Sequence, residues 1–203
     1  MKIVIVDYGM GNIKSITSAL KYLGVDDISV SNKLEDIELA DKLILPGVGS
    51  FSKAMKNIKE LNLDNILKDT VIKNKKPILG ICLGMQLMSE SSEEDGDSIG
   101  LSFIKAKVTK LEIQDLKVPH VGFNQVSFSN NSKLYNSLSN LSDFYFTHSF
   151  KMQSNENINQ SFCNYGDNFI VSYEVDNIVG VQFHPELSQT NGLKLIENFI
   201  KNF

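Results

Sequence analysis

The chain has no arginine and no tryptophan, and only two cysteines, three histidines and four prolines among 203 residues. Without arginine, and with a formal charge of -4, it offers no basic face for a phosphate backbone, so no nucleic-acid partner is expected. Cys82 and Cys163 make a poor disulfide framework for a chain this long. No pair among the cysteines and histidines has metal-ligand spacing, so no metal is expected, and nothing in the chain calls for a cofactor. No apolar run approaches the length of a membrane span, and the first one stops at Asp7, too short for the core of a signal peptide. The chain is therefore expected to begin at Met1 and to work in a reducing cytoplasm, away from membranes. What is present is 42% hydrophobic, enough for one substantial core and little for two. A single domain over 1–203 is expected.

Residues 3–6 are continuously apolar, the pattern of a strand buried on both faces, and the loop Tyr8-Gly9-Met10-Gly11-Asn12 follows. Gly9 and Gly11 lack the third glycine of a dinucleotide loop. Ile13, Ile16, Leu20 and Leu23 recur at helical spacing behind Asn12 as a candidate N-cap, with Gly24 as the stop. Strands at 28–30 and 42–45 and helical stripes on Phe51, Met55, Ile58 and Leu63, Ile66, Leu67, Val71 complete an alternating pattern. That pattern predicts an α/β fold, a mostly parallel sheet flanked by helices. From Gly100 onward short strands predominate, at 118–121, 144–146, 169–173 and 179–183, with a closing helix on Leu193, Ile196, Phe199 and Ile200, so the second half is β-rich. The acidic stretch 91–98 reads as solvated loop that can frame a cleft.

Pro77-Ile78-Leu79-Gly80-Ile81-Cys82-Leu83-Gly84-Met85-Gln86 runs a short apolar strand into a helix-forming segment, with Cys82 at the corner. Glycines two residues to each side are the pattern of a nucleophile elbow, and the helix N-terminus favours thiolate over thiol. The plain alternative is a buried cysteine acting as a small hydrophobe. Pro46-Gly47-Val48-Gly49 is a loop able to turn backbone N–H groups toward a cleft, or an ordinary turn. Of the three histidines, His184 stands out, because His184-Pro185-Glu186 places a carboxylate two residues on. Read as an extended segment, it lets Glu186 orient the imidazole while His184 reaches Cys82. His120 and His148 lack such a carboxylate and are read as structure or cleft wall.

The Cys82 segment, together with Val181-Gln182-Phe183-His184-Pro185-Glu186, resembles the class I glutamine amidotransferases, flavodoxin-like glutaminases that make ammonia for a synthase. Asp7-Tyr8-Gly9-Met10-Gly11-Asn12, Leu45-Pro46-Gly47-Val48-Gly49, Val118-Pro119-His120 and 144–149 narrow the resemblance to the glutaminase subunit of imidazole glycerol phosphate synthase, over essentially the whole chain. The resemblance implies Cys82 as nucleophile, His184 as proton carrier and Glu186 as its orienting acid. It implies an oxyanion hole from the amides of Val48 and Leu83, and a glutamine pocket that takes in Gly47, Gly49, Gln86, Glu94 and Ser149. It also implies a barrel-shaped cyclase partner in a heterodimer, met near Asn12, Phe123 and Leu187. Two of those positions depart from the family: Phe123 stands where tryptophan is usual, and Leu187 where lysine is usual. The departures leave room for a paralogue feeding sugar-nucleotide chemistry in surface polysaccharide synthesis. The readings from other classes are a cysteine hydrolase or protease of related fold and a non-catalytic binding module. Gln86 and the Pro46 loop speak for a glutamine pocket, and the intact triad speaks against an inert module.

Overall fold

The computed structural model describes residues 1–203. β1 (Lys2–Val6) leads to α1 (Ile13–Tyr22), then β2 (Asp27–Ser31), α2 (Leu34–Leu39), β3 (Lys42–Leu45), α3 (Phe51–Glu60) and α4 (Leu63–Leu67). A π-helical turn at Lys68–Lys73 precedes β4 (Ile78–Ile81) and α5 (Leu83–Leu87). The second half carries β5 (Ser91–Ser92), β6 (Ser98–Ile99), β7 (Lys107–Lys110), β8 (His120–Ser127), β9 (Ser142–His148), β10 (Phe150–Gln153), β11 (Ser161–Tyr165), β12 (Asp167–Val175) and β13 (Ile178–Val181). A 3₁₀ turn at Pro185–Leu187 and α6 (Gln189–Asn202) close the chain.

Five parallel strands in the order β2-β1-β3-β4-β13 form the centre of the sheet. This is the flavodoxin-like order, in which ligands bind beyond the carboxyl ends of the strands. The continuous apolar runs have the cause expected of them: β3, β4 and β13 are buried along their whole length, while β2, at the edge, is only partly covered. Alternation along β1 sends Val4 and Val6 into the core under α3 and α4, and Ile3 and Ile5 into the core under α1 and α6. Each large apolar side chain buried this way contributes about 1.5–3 kcal/mol. Beyond β13 the sheet turns antiparallel through β12 and β10, and a branch of β11, β8 and β9 leaves from β12.

Several local expectations change. Asn12 occupies the N-cap position of α1, but its side chain makes no capping bond; its carbonyl simply accepts from Ile16 N–H. The 91–98 stretch is not plain loop, since β5 and β6 pair as a small hairpin whose turn carries Glu94. The His184 segment does not stay extended either. Pro185 opens a 3₁₀ turn, which suits a residue with fixed φ and no N–H to lose.

Candidate active site

At the carboxyl end of β4 the chain reverses into α5 through Cys82, held at φ 53° and ψ -109°. A positive φ for a residue with a Cβ costs on the order of 1–3 kcal/mol and persists only where the surroundings enforce it. Here Cys82 N–H donates to Val181 O at 2.7 Å, and Cys82 O accepts from Gln86 N–H at 3.2 Å. The turn also needs Gly84, because a Cβ there would lie 1.9 Å from the Leu45 carbonyl oxygen. The elbow is thus wedged between β13 and β3, and Leu83, the first residue of α5, has an amide with no acceptor within the helix.

A cavity of about 480 Å³ opens over the elbow, lined by Val48, Gly49, Cys82, Leu83, Gln86 and Glu94 on one side. Pro119, Thr147, His148, Ser149, Phe150 and His184 form the other. Cys82 is only 7% exposed, yet its sulfur reaches this space. Of the residues expected to serve catalysis, the oxyanion hole or the glutamine pocket, Gly47 and Glu186 are absent from the lining. Gly47 packs behind it, where a Cβ would meet Leu83 Cβ at 2.7 Å and the Tyr8 hydroxyl at 2.7 Å. Glu186 lies behind His184, with its Oε1 2.9 Å from His184 Nδ1. The tight turn brings the two together, where an extended strand was expected to do so.

That contact leaves His184 Nε2, buried and without a hydrogen-bond partner, as the nitrogen on the Cys82 side. Burial works against a charged imidazole, but Cys82 and Glu186 outweigh it, and the His184 pKa is raised to about 10. The sulfur is near enough to act on His184 but forms no Sγ–Nε2 bond. It lies 3.9 Å from Thr147 O and 3.7 Å from Gln182 Nε2. Loose nucleophile–base contacts are common in unliganded sites.

Gln86 donates from Nε2 to Phe150 O at 3.2 Å and to Gln182 Oε1 at 2.8 Å. Glu94 takes Phe51 N–H at 2.9 Å on one carboxylate oxygen. Its pKa is raised, first by burial and further by Asp95, with the Phe51 bond pulling the other way. A half-buried carboxylate of this kind gains from a cation placed in the cavity. Ser149 joins β9 to β10 in the wall, and its carbonyl accepts from Leu111 N–H at 2.8 Å.

His148 lines the cavity and His120 lies beneath it. Phe150 O can only accept, so the proton of His148 sits on Nδ1, 2.8 Å away. His148 Nε2 therefore accepts from His120 Nδ1–H at 3.0 Å, and His120 Nε2 faces Asn124 Nδ2 at 3.4 Å. Burial keeps both rings neutral, with pKa values lowered to about 3 for His148 and about 4 for His120. An unfolded chain takes up these protons near pH 6.5. Unfolding therefore binds protons below 6.5, and stability that is full above that pH falls as the solution is taken toward pH 4. His184 adds slope only above 6.5, because below it that ring is protonated in both states. Denaturant midpoints measured from pH 6.5 to 4.5 should decline, and His148→Asn should flatten the decline. An unchanged slope in that variant would contradict the neutral pair.

Outside the cavity lining, Phe123 on β8 is 50% exposed and Leu187 40% exposed. Tyr145 links them: its ring meets Phe123 edge to face at 5.5 Å, and its carbonyl accepts from His184 N–H at 2.8 Å. Tyr145 thus ties β8 to the turn that holds the histidine.

The profile of the family described as Glutamine amidotransferase class-I matches residues 4–203. The chain belongs to this family. This class I glutamine amidotransferase is 46% identical over 200 residues to "Imidazole glycerol phosphate synthase subunit HisH 1" of Campylobacter jejuni strain RM1221, covering 98% of this chain and 99% of that protein. It is 48% identical over 202 residues to "Imidazole glycerol phosphate synthase subunit HisH 2" of Methanococcus maripaludis, covering 98% of each. Among solved structures, a glutamine amidotransferase superposes with a TM-score of 0.75 at 18% identity, over 97% of this chain and 96% of that one. A putative GMP synthase component from Thermoplasma acidophilum gives 0.71 at 21% identity, over 98% and 92%. These likenesses bear out the α/β fold expected of the class.

Sequence reading found every polar residue of the cavity wall except Thr147 and placed His148 only as structure or wall. It gave no role to Gln182, whose partners lie about a hundred residues away in the chain.

Proposed function

We propose that this chain is the glutaminase subunit of an imidazole glycerol phosphate synthase, one glutamine amidotransferase domain spanning 1–203 and working in the cytoplasm. The observation that carries the reading is Cys82 on its strained corner beside His184, with Glu186 behind that ring and Gln86 and Glu94 across the same cavity. The Cys82 thiolate attacks the side-chain carboxamide carbon of glutamine, and the oxyanion that forms is met by the amides of Leu83 and Val48. The C–N bond breaks as His184 gives its proton to the departing nitrogen, releasing ammonia and leaving a thioester. His184 then takes a proton from water, whose oxygen attacks the thioester carbon, and glutamate leaves as the thiolate is restored. Glu94 balances the substrate ammonium, with Gln86 and the backbone at Ser149 completing the grip. Full-length relatives carrying the synthase-subunit name support the pathway.

The proposed partner is a barrel-shaped cyclase docking on Phe123, Tyr145 and Leu187, near Asn12. Phe123 and Leu187, where the family usually has tryptophan and lysine, also favour a second reading, a paralogue serving sugar-nucleotide chemistry. Complementation separates the two. With its native barrel, the chain should restore growth of a histidine auxotroph lacking its own glutaminase, and Phe123→Ala should weaken binding by about 2 kcal/mol, roughly thirtyfold, if Phe123 is a central anchor. No growth with both proteins soluble and bound to each other would move the assignment to the sugar pathway.

A further inference from the structure

We infer that Gln182 is a fixed hydrogen-bond donor to the Cys82 sulfur, and that its orientation, set from the Phe150 carbonyl through Gln86, ties the substrate pocket to the nucleophile. This rests on the reading of Cys82 as nucleophile. Gln182 follows β13 and is fully buried. Its side chain reaches Gln86 and Cys82, while the neighbouring Phe183 packs in the core against Phe144 and Phe146. A buried glutamine among apolar neighbours is unfavourable unless its amide is satisfied.

Amide nitrogen and oxygen are assigned from their partners, and here the partners leave one assignment. The Phe150 carbonyl can only accept, and it already receives His148 Nδ1–H at 2.8 Å. Gln86 must therefore present its NH₂ group to Phe150 O, and that same nitrogen is the atom 2.8 Å from Gln182. Gln182 must answer with Oε1, since a flipped amide would set NH₂ against NH₂. Its own NH₂ is thereby aimed at Cys82 Sγ, 3.7 Å away. Turning Gln182 over would require turning Gln86, which would press a carbonyl against Phe150 O.

Two consequences follow for chemistry. The sulfur meets a donor whatever its protonation state, and a donor favours thiolate, the nucleophilic form. Gln86, with its NH₂ occupied twice, is left to offer only its oxygen to a ligand, which suits an ammonium and not a carboxylate. Gln182 thus faces the nucleophile with a donor and fixes the polarity of one pocket wall.

The test is the pH dependence of Cys82 alkylation by iodoacetamide in the full chain, followed by peptide mass. Cys163 is buried, with its pKa pushed up to about 12, and does not compete. Gln182→Leu, which removes the donor, should move the alkylation midpoint up by about one pH unit. Gln182→Glu keeps the shape and replaces the donor with a carboxylate, so its midpoint should rise further; it serves if the leucine variant does not fold. Both should lower kcat and raise the KM for glutamine, whereas a merely structural glutamine would leave the midpoint in place. Midpoints that superpose on the parent in a folded variant overturn the inference. Glutaminase activity surviving in Cys82→Ala would instead overturn the nucleophile reading, and the two failures are read from different measurements.

Discussion

Cys82→Ala should abolish glutamine hydrolysis, a loss of about 10⁵-fold or more, while the complex with the proposed cyclase still turns over when ammonium is supplied. The split is expected because the residue has only one chemical duty. Alanine keeps the Cβ, so the corner at φ 53°, the backbone bond to Val181 O and the one from Gln86 N–H remain, and the cavity wall loses one sulfur atom. Nothing else in the lining can form a thioester. His184→Ala should be nearly as severe, since in the proposed mechanism the nitrogen it removes serves both the leaving group and the water. Glu186→Gln should be milder, because nucleophile and base both remain and only orientation and charge support are lost. The measurement is glutamate release at saturating glutamine alongside ammonium-dependent synthesis. Glutaminase activity retained in Cys82→Ala would remove Cys82 from the mechanism, and loss of both activities would point to damage to the complex.

The parts of this site that were legible in the sequence are those held by neighbours in the chain. The elbow is local: a four-residue apolar strand, a glycine on each side and a short helix. His184 and Glu186 are two apart, and their pairing was readable even though the route was not. The sequence suggested an extended strand because proline disfavours helix before it, but the structure closes a 3₁₀ turn in which proline's fixed φ is an advantage. Continuous apolar runs announced β1, β3, β4 and β13, since strands buried on both faces leave no other pattern. α2 escaped, because six residues with only Ile37 buried carry no period to detect. So did β10 and β11, which hold their places by antiparallel pairing with strands distant in sequence and not by composition. Glu94 sits in a run of acids that reads as solvated, and only the pairing of β5 with β6 turns it toward the α3 N-terminus and the cavity. Gln182 was hidden for the same reason. A glutamine at a strand end says nothing of a carbonyl and an amide that arrive from β10 and α5.

The second large effect is expected from the partner. The isolated chain should hydrolyse glutamine slowly, and adding the cyclase with its own ligand bound should raise turnover on the order of a hundredfold or more. The reason lies in how unevenly the oxyanion loop is fastened. Its stem is rigid: the Tyr8 hydroxyl donates to Pro46 O at 2.6 Å, and Gly47 is packed so closely on Leu83 and Gly84 that no side chain fits. Its tip is not. Val48 is 42% exposed, and Gly47, though its Cα is packed in place, carries no side chain to hinder rotation about its ψ, so the Gly47–Val48 peptide can swing the Val48 N–H into or out of the cavity. The Leu83 amide, at the start of α5, is held by the helix and needs no such adjustment. An oxyanion hole with one donor set and one variable loses about 10²–10³ in turnover whenever the second points away. A partner can recover that only by binding one loop orientation more tightly than the other, and a hundredfold shift requires about 2.7 kcal/mol of difference. The gain should therefore appear in kcat more than in KM, because Gln86, Glu94 and the wall at Ser149 are in place without it. Turnover of the lone chain equal to that of the complex would mean that the loop is already set, and that the partner receives ammonia without governing its release.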